Sequence, residues 1–344
     1  MSPSVTTKSS SALRNLLAEY RVELVMLLAF ALLCVALSIL SPEFATGGNV
    51  RNLFWQATTT GIIAIGQCLV ILTAGIDLSV GGIATFSAMV GGMVLMKAGV
   101  TAGVAVVLLM GAGIGAISGF LIAYTRLAPF IVTLGVASIT RSLTYVITDA
   151  HSIVGLPKGY RLFGYGHAFG IPVYIYILIG LFVVGHILLT KSKFGRFIYA
   201  IGSNEEASRL AGVNIRRYKA LAYVITGMLA AVAVVIITSR LGAIDPDTGT
   251  GWEMDTIAAV VIGGTSLSGG KGSLIGTFIG VFLITVLHNG LNIIGVSPFW
   301  QGSAVGTVII ISVLLDRVLG RVGMRKDRGR AKAAGPLQHH KEAV

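Results

Sequence analysis

Stretches apolar enough to cross a lipid bilayer recur along nearly the whole of this 344-residue chain. A spanning helix needs ~20 predominantly apolar residues, because the hydrocarbon core is ~30 Å thick and each helical residue rises ~1.5 Å. By that measure ten segments stand out. They are Val22–Leu40, Leu53–Thr73, Leu78–Met96, Val100–Tyr124, Pro129–Ile147, Pro172–Thr190, Ala220–Ser239, Thr256–Ser266, Leu274–Ile294 and Trp300–Leu315. The run 272–315 holds no Asp, Glu, Lys or Arg, and Gly295-Val296-Ser297-Pro298 divides it in two. Thr256–Ser266 is too short to cross alone, so it is broken or completed by the glycine-rich 263–272. Asp77 and Gly81-Gly82 make the Thr73–Leu78 junction a second such place. In hydrocarbon every backbone polar group must find a partner, so broken helices persist only where protein or a water-filled cavity covers them. The expectation is an all-α integral membrane protein of about ten transmembrane helices with glycine-rich broken or re-entrant segments.

Composition closes off the alternatives. The chain is 54% hydrophobic and 12% charged, where a soluble domain carries ~25% charge. That excludes a soluble enzyme, a disordered tail and a secreted disulfide scaffold, and Cys34 and Cys68 read as small buried hydrophobes inside apolar runs. Cytoplasmic loops retain positive charge, and placing the N-terminus inside puts twenty of the 26 basic residues on that side. The division is then a cytoplasmic segment 1–21, a permease domain 22–320 with a cytoplasmic loop 191–219, and a basic cytoplasmic tail 321–344. Glu19 and Glu23 make the start too acidic for a signal peptide, so the first span is a retained anchor. Trp55, Trp252 and Trp300 fall at the outer interface, as amphipathic indoles prefer, and the outer loops carry Asp149, Asp245, Asp247, Glu253 and Asp255. The net charge of +12 is therefore a product of topology, not a nucleic-acid footprint.

Glycines recur every fourth residue at 111, 115 and 119, at 272, 276 and 280, and at 302 and 306. Such rows let helix backbones pack in close contact. A faint internal echo links Ile76–Gly82 to Thr265–Gly270, and interrupted segments in corresponding halves point to the substrate region of a transporter. The loop 191–219 holds a short helix over Asn204–Ala211: Ser203 caps it, Glu206 reaches back in a capping box, and Gly212 suits a left-handed C-terminal cap. A helix of two turns is unstable alone in water, so either its own helix ends or another subunit must hold it.

Chemistry of the enzymatic kind is missing. Thr265–Ser273 departs from a phosphate-binding loop, with Thr265 in place of the first glycine and Gly272 after Lys271. The six histidines show no metal-ligand spacing, and no serine or cysteine has a base and an orienting acid beside it. No enzyme, cofactor or metal centre is expected. Polar residues within spans mark pathways or bind helices together. Gln67, Asp77, Ser79, Asn289 and Asn292 are the candidates for a translocation path, with Arg141, Thr144 and His288 nearby in their spans. Asp77 also suits a cap for the next helix, accepting from the amides near Ser79 and Val80.

A resemblance then enters through Ala74-Gly75-Ile76-Asp77-Leu78-Ser79-Val80-Gly81, Pro129-Phe130-Ile131-Val132-Thr133-Leu134-Gly135, Phe194-Gly195-Arg196, Ala200-Ile201-Gly202-Ser203-Asn204 and 257–266 with Gly269-Gly270. Over residues 20–320 the chain resembles the permease subunit of ribose-type ABC importers, a family that also serves xylose, arabinose, galactose and autoinducer-2. The resemblance implies two permease chains, identical or sister, in the bacterial plasma membrane, a cytoplasmic ATP-binding subunit and an extracytoplasmic sugar-binding protein. It makes Ser203–Gly212 the coupling helix, with Ser203, Asn204, Glu205, Glu206, Ala207, Leu210, Ala211 and Gly212 facing the ATPase. Ser203 stands where this family usually has glycine. The outer loop 245–255 is a candidate for docking the binding protein. An ion-coupled carrier is the main alternative, disfavoured because Asp77 is the sole intramembrane acid in this reading; a permease for branched-chain amino acids or nucleosides is the other.

Overall fold

The computed structural model describes residues 21–297, 299–311 and 314. Helices α1 (Arg21–Leu40), α2 (Gly47–Leu72), α3 (Val80–Ala98), α4 (Val100–Thr125) and α5 (Pro129–Thr148) are followed by strand β1 (Ile153–Val154). Next come α6 (Leu162–Tyr165), β2 (His167–Ala168), β3 (Ile171–Pro172), α7 (Val173–Lys191), α8 (Lys193–Ser203), α9 (Glu205–Leu210) and α10 (Ile215–Leu241). The chain continues through β4 (Ala243–Ile244), α11 (Trp252–Ile262), α12 (Leu274–Ile293) and the short apolar helix α13 (Phe299–Ile311). Eight of these (α1–α5, α7, α10 and α12) are long and apolar enough to cross a membrane. The chain is thus an all-α membrane protein, its strands reduced to the antiparallel pairs β1–β4 and β2–β3. The segment 1–20 and the tail 321–344 lie outside the described residues, as does the end of the tenth span at Leu315.

Burial sorts the helices. Within the chain, 83% of the spanning window of α2 is buried, against 11% for α1; a helix apolar on every side belongs either in a protein core or in lipid. The helices α2 and α10 occupy the centre, while α1, α4, α5 and α7 turn large apolar side chains outward. The glycine row of α4 packs against α10: a methyl at Gly111 would stand 2.5 Å from the Gly227 carbonyl oxygen, at Gly115 2.5 Å from that of Tyr223, and at Gly119 2.7 Å from that of Ala220. Gly276 and Gly280 meet the α11 backbone in the same way, whereas Gly302 and Gly306 face nothing within 4 Å.

Two interruptions follow from local chemistry. After α2 the chain runs without regular structure through Thr73–Ser79, its Ile76 carbonyl accepting from the Thr133 hydroxyl (3.3 Å). Just ahead of α3, Asp77 Oδ1 accepts from the Ser79 amide at 2.8 Å and from its hydroxyl; Ser79 is the N-cap of α3 and makes no side-chain cap bond, so the expected cap from Asp77 onto Val80 is not formed. The second interruption lies at α11, which begins at Trp252 and ends at Ile262, four residues earlier at each end than the expected Thr256–Ser266. Glycines explain the shift, because Gly251 and Gly264, with φ of +85° and +81°, turn the chain at either end of the helix. The two echoed segments come together in space, with Ile76, Leu78 and Leu267 in one apolar cluster with Ile257 and Val261.

Candidate functional site

At one end of the bundle, α8 and the loop 263–273 converge on the end of α2, and α9 follows α8 there. Gly202 makes this possible: a methyl there would lie 1.8 Å from the Leu72 carbonyl oxygen and 2.4 Å from the Gly270 nitrogen. The Gly270 amide donates to that carbonyl at 3.0 Å, and the Tyr199 hydroxyl donates to the Gly272 carbonyl at 2.9 Å. A push on α8 is therefore felt directly by the end of α2 and by the loop after α11.

The short helix α9 exists, but its cap is one residue later than the capping box requires. Asn204, not Ser203, accepts from the Ala207 amide (2.9 Å); Ser203 ends α8 and donates its hydroxyl to the Tyr199 carbonyl. Glu206 turns to Arg209 instead of reaching back, and that hydrogen bond holds its carboxyl below the usual range. At the other end Gly212 has φ +80°. The Val213 amide donates to the Ser208 carbonyl and the Gly212 amide to that of Arg209, both at 3.0 Å, which closes a Schellman motif. A salt bridge from Lys219 to Glu205 (2.6 Å) ties the helix to α10. Within α9 only Ser208 is buried; Glu205, Glu206, Ala207 and Leu210 are exposed, Leu210 at 78%. Ala211 and Gly212 beyond it are exposed too.

The polar residues singled out from sequence do not form one group. Gln67, Asp77 and Ser79 are fully buried. Both amide atoms of Gln67 and Oδ2 of Asp77 lack a hydrogen-bond partner among the described residues. Asn289 is 3% exposed and makes a reciprocal amide pair with Asn49, at 2.9 and 3.0 Å, that binds α12 to α2. Asn292 is exposed at the end of α12 and accepts from Gln301 at 2.7 Å.

A different polar set lies at the opposite end of the bundle from α9. Arg141 of α5 approaches Glu253 of α11 at 3.8 Å, and His288 of α12 approaches Asp255 of α11 at the same distance. The tip of the 245–251 loop is held by Tyr145 donating to Asp247, Ser152 to Asp245 (2.7 Å) and the Gly249 amide to the Thr85 hydroxyl (2.9 Å). Asp77 is therefore not the only acid between spans: Glu253 and Asp255 belong to a helix packed inside the bundle, and only Asp245 and Asp247 stay on the exposed loop. The signal for this was the pair of acids just ahead of a segment too short to span, with Arg141 as the one Lys or Arg inside the segments expected from sequence. No group of three or more metal-ligating side chains occurs among the described residues.

The chain is thus a bundle of apolar helices with two backbone interruptions and a capped polar helix exposed at one end. Residues 49–314 match the family described as branched-chain amino acid transport system / permease component, and the chain belongs to that family. It is 47% identical over 295 residues to the ribose import permease protein RbsC of Bacillus subtilis, covering 84% of this chain and 91% of that one. It is 39% identical over 317 residues to the Escherichia coli RbsC, covering 91% and 99%. To the D-allose transport system permease protein AlsC of Escherichia coli it is 39% identical, covering 85% and 91%. No solved structure matches. The chain is a multi-pass inner-membrane protein.

Proposed function

We propose that this chain is the membrane-spanning subunit of an ATP-driven importer for a monosaccharide of the ribose kind. The relatives are named for ribose or allose transport, which favours a sugar over the amino acid of the broader family description. Its partners are a separate ATP-binding subunit, an extracytoplasmic sugar-binding protein and a second permease chain. The crossings number ten, with α11 and α13 as the two short ones, and both termini are cytoplasmic.

The observation that carries the reading is α9. It is capped at both ends, tied by Lys219 and otherwise in contact with little of its own chain, so its apolar residues Ala207 and Leu210 suit a groove on the ATPase. Ser203, Asn204, Glu205, Glu206, Ala211 and Gly212 shape the same contact. A conformational change follows from ATP only if ATP binding favours one state over the other. The contact of Gly202 with the end of α2 gives that difference a mechanical route inward. Gln67, Asp77, Ser79, Asn289 and Asn292 remain the candidates for the translocation path, Asp77 and Ser79 ordering the end of the 73–79 segment through their mutual hydrogen bonds.

The test is to purify the complex from its own membranes and to reconstitute it. The ATPase should co-purify with the wild-type chain and be lost from Leu210→Asp, and Ala207→Arg should separate ATP hydrolysis from uptake while insertion is retained. Normal coupled uptake in both variants would refute the role of α9. Uptake that needs a proton gradient and no ATPase would refute the importer.

A further inference from the structure

Charged side chains inside a spanning segment require water, a counter-charge or protein around them. Arg141 has only part of this, because its side chain is 41% exposed on the surface of the single chain. Ser138, Arg141 and Tyr145 recur at three- and four-residue spacing, so they share one face of α5. From that face Arg141 reaches Glu253 of α11, whose Oε1 lies nearest the guanidinium and whose Oε2 is buried with no hydrogen-bond partner among the described residues. At 3.8 Å the Arg141 and Glu253 groups attract each other but do not hydrogen-bond. Each keeps unused capacity, the guanidinium to donate and the carboxylate to accept. A hydroxyl both donates and accepts, so it can bond to each of them at once.

The wall continues below the pair. Ile257 and Val261 follow Glu253 at four-residue steps along α11, and they close against Leu78 of the interrupted segment; each of the three is 8% exposed. A polar station with a dry apolar contact beneath it is what a path for a neutral polyol needs. The first replaces water at the hydroxyls, and the second blocks water and ions when the path is shut.

We propose that Arg141 and Glu253 form a hydroxyl-binding station for the transported sugar, above a constriction made by Leu78, Ile257 and Val261. The inference rests on the importer reading above. It assigns the α5 face carrying Ser138 to the water-filled path between permease chains, and the flank carrying Ile139, 60% exposed, to lipid.

The test uses the full transporter in proteoliposomes, with the binding protein saturated by each sugar so that its own selectivity drops out. Glu253→Gln and Arg141→Gln should each lower the maximal uptake rate about tenfold or more, with yield and thermal stability unchanged. Deoxy analogues of the sugar should slow the wild type, and the one lacking the recognised hydroxyl should cause no further loss in Glu253→Gln. Wild-type proportions for every sugar in both variants would overturn the proposal. So would full recovery in the charge-swapped Arg141→Glu, Glu253→Arg pair, which would leave only a strut. In a background with Cys34 and Cys68 replaced by alanine, a charged thiol reagent should label Ser138→Cys and spare Ile139→Cys, and failure to label position 138 would overturn it independently of folding in the charge variants. Absence of ATP-dependent uptake by the wild type would instead refute the importer reading itself.

Discussion

Replacing Asn289 with leucine separates two roles that a polar residue in a membrane helix can have. The side chain exchanges two hydrogen bonds with Asn49, at 2.9 and 3.0 Å, and is 3% exposed. A hydrogen bond between neutral groups contributes ~0.5–1.5 kcal/mol net, and leaving a buried partner unsatisfied costs ~1–3 kcal/mol. Between membrane helices the measured values fall near ~0.6 kcal/mol per interaction. Asn49 keeps its donor bond to the Phe44 carbonyl (2.9 Å) but loses the partner of its own oxygen. Asn49 is only half-buried, so water replaces part of what is lost, and Asn289→Leu should destabilise the chain by ~1–2 kcal/mol, about 5- to 30-fold in the folding equilibrium. The double variant Asn49→Leu, Asn289→Leu should lose less than the sum of the single variants, because no orphaned amide remains. Thermal unfolding in mild detergent, read by size-exclusion chromatography, measures both. An Asn289→Leu chain that melts as the wild type while uptake falls would refute the reasoning and place the residue on the path.

Two further outcomes follow from close contacts and caps. A methyl at Gly81 would stand 2.1 Å from the Gly249 carbonyl oxygen and 2.8 Å from Glu253 Oε2; Gly81→Ala should force α3 and the 245–251 loop apart and reduce uptake strongly, and normal uptake would show that this crossing yields freely. Asn204→Ala should cost ~1 kcal/mol of local helix stability by removing the cap and speed hydrogen exchange of the amides at 207–211. Ser203→Ala should leave those rates near wild type, and the reverse order would restore Ser203 as the cap.

The spans were legible because hydrocarbon imposes one demand, a long apolar helix, and each of the eight long helices covers its expected segment or nearly all of it, with α2 and α10 starting six and five residues earlier than expected. The places that misled are those where glycine decides. Thr256–Ser266 is apolar only through Ile262, and Gly251 and the 263–264 pair place the helix four residues toward the N-terminus and draw Glu253 and Asp255 into it. The cap of α9 was misplaced for a related reason: Ser203 and Asn204 are both good caps, and only the end of α8, fixed by the contact of Gly202 with Leu72, decides between them. Asp77 was expected to cap α3, but Ser79 is the N-cap and carries no side-chain cap bond; among the described residues Asp77 bonds only Ser79, two residues after it.

Polarity in a span locates a constrained residue without telling which way it faces. Gln67, Asp77, Ser79 and Asn289 are all polar and all buried within their own chain; Asn289 is satisfied by its amide pair and Asp77 Oδ1 by Ser79, while Gln67 and Asp77 Oδ2 have no hydrogen-bond partner among the described residues. Arg141 differs because its length and charge exceed what α5 and α11 cover: one carboxylate at 3.8 Å and an exposed remainder. A guanidinium left partly open in a membrane helix must meet water or another subunit. That unmet demand, more than the presence of polar atoms, distinguishes a wall of the path from a strut between helices.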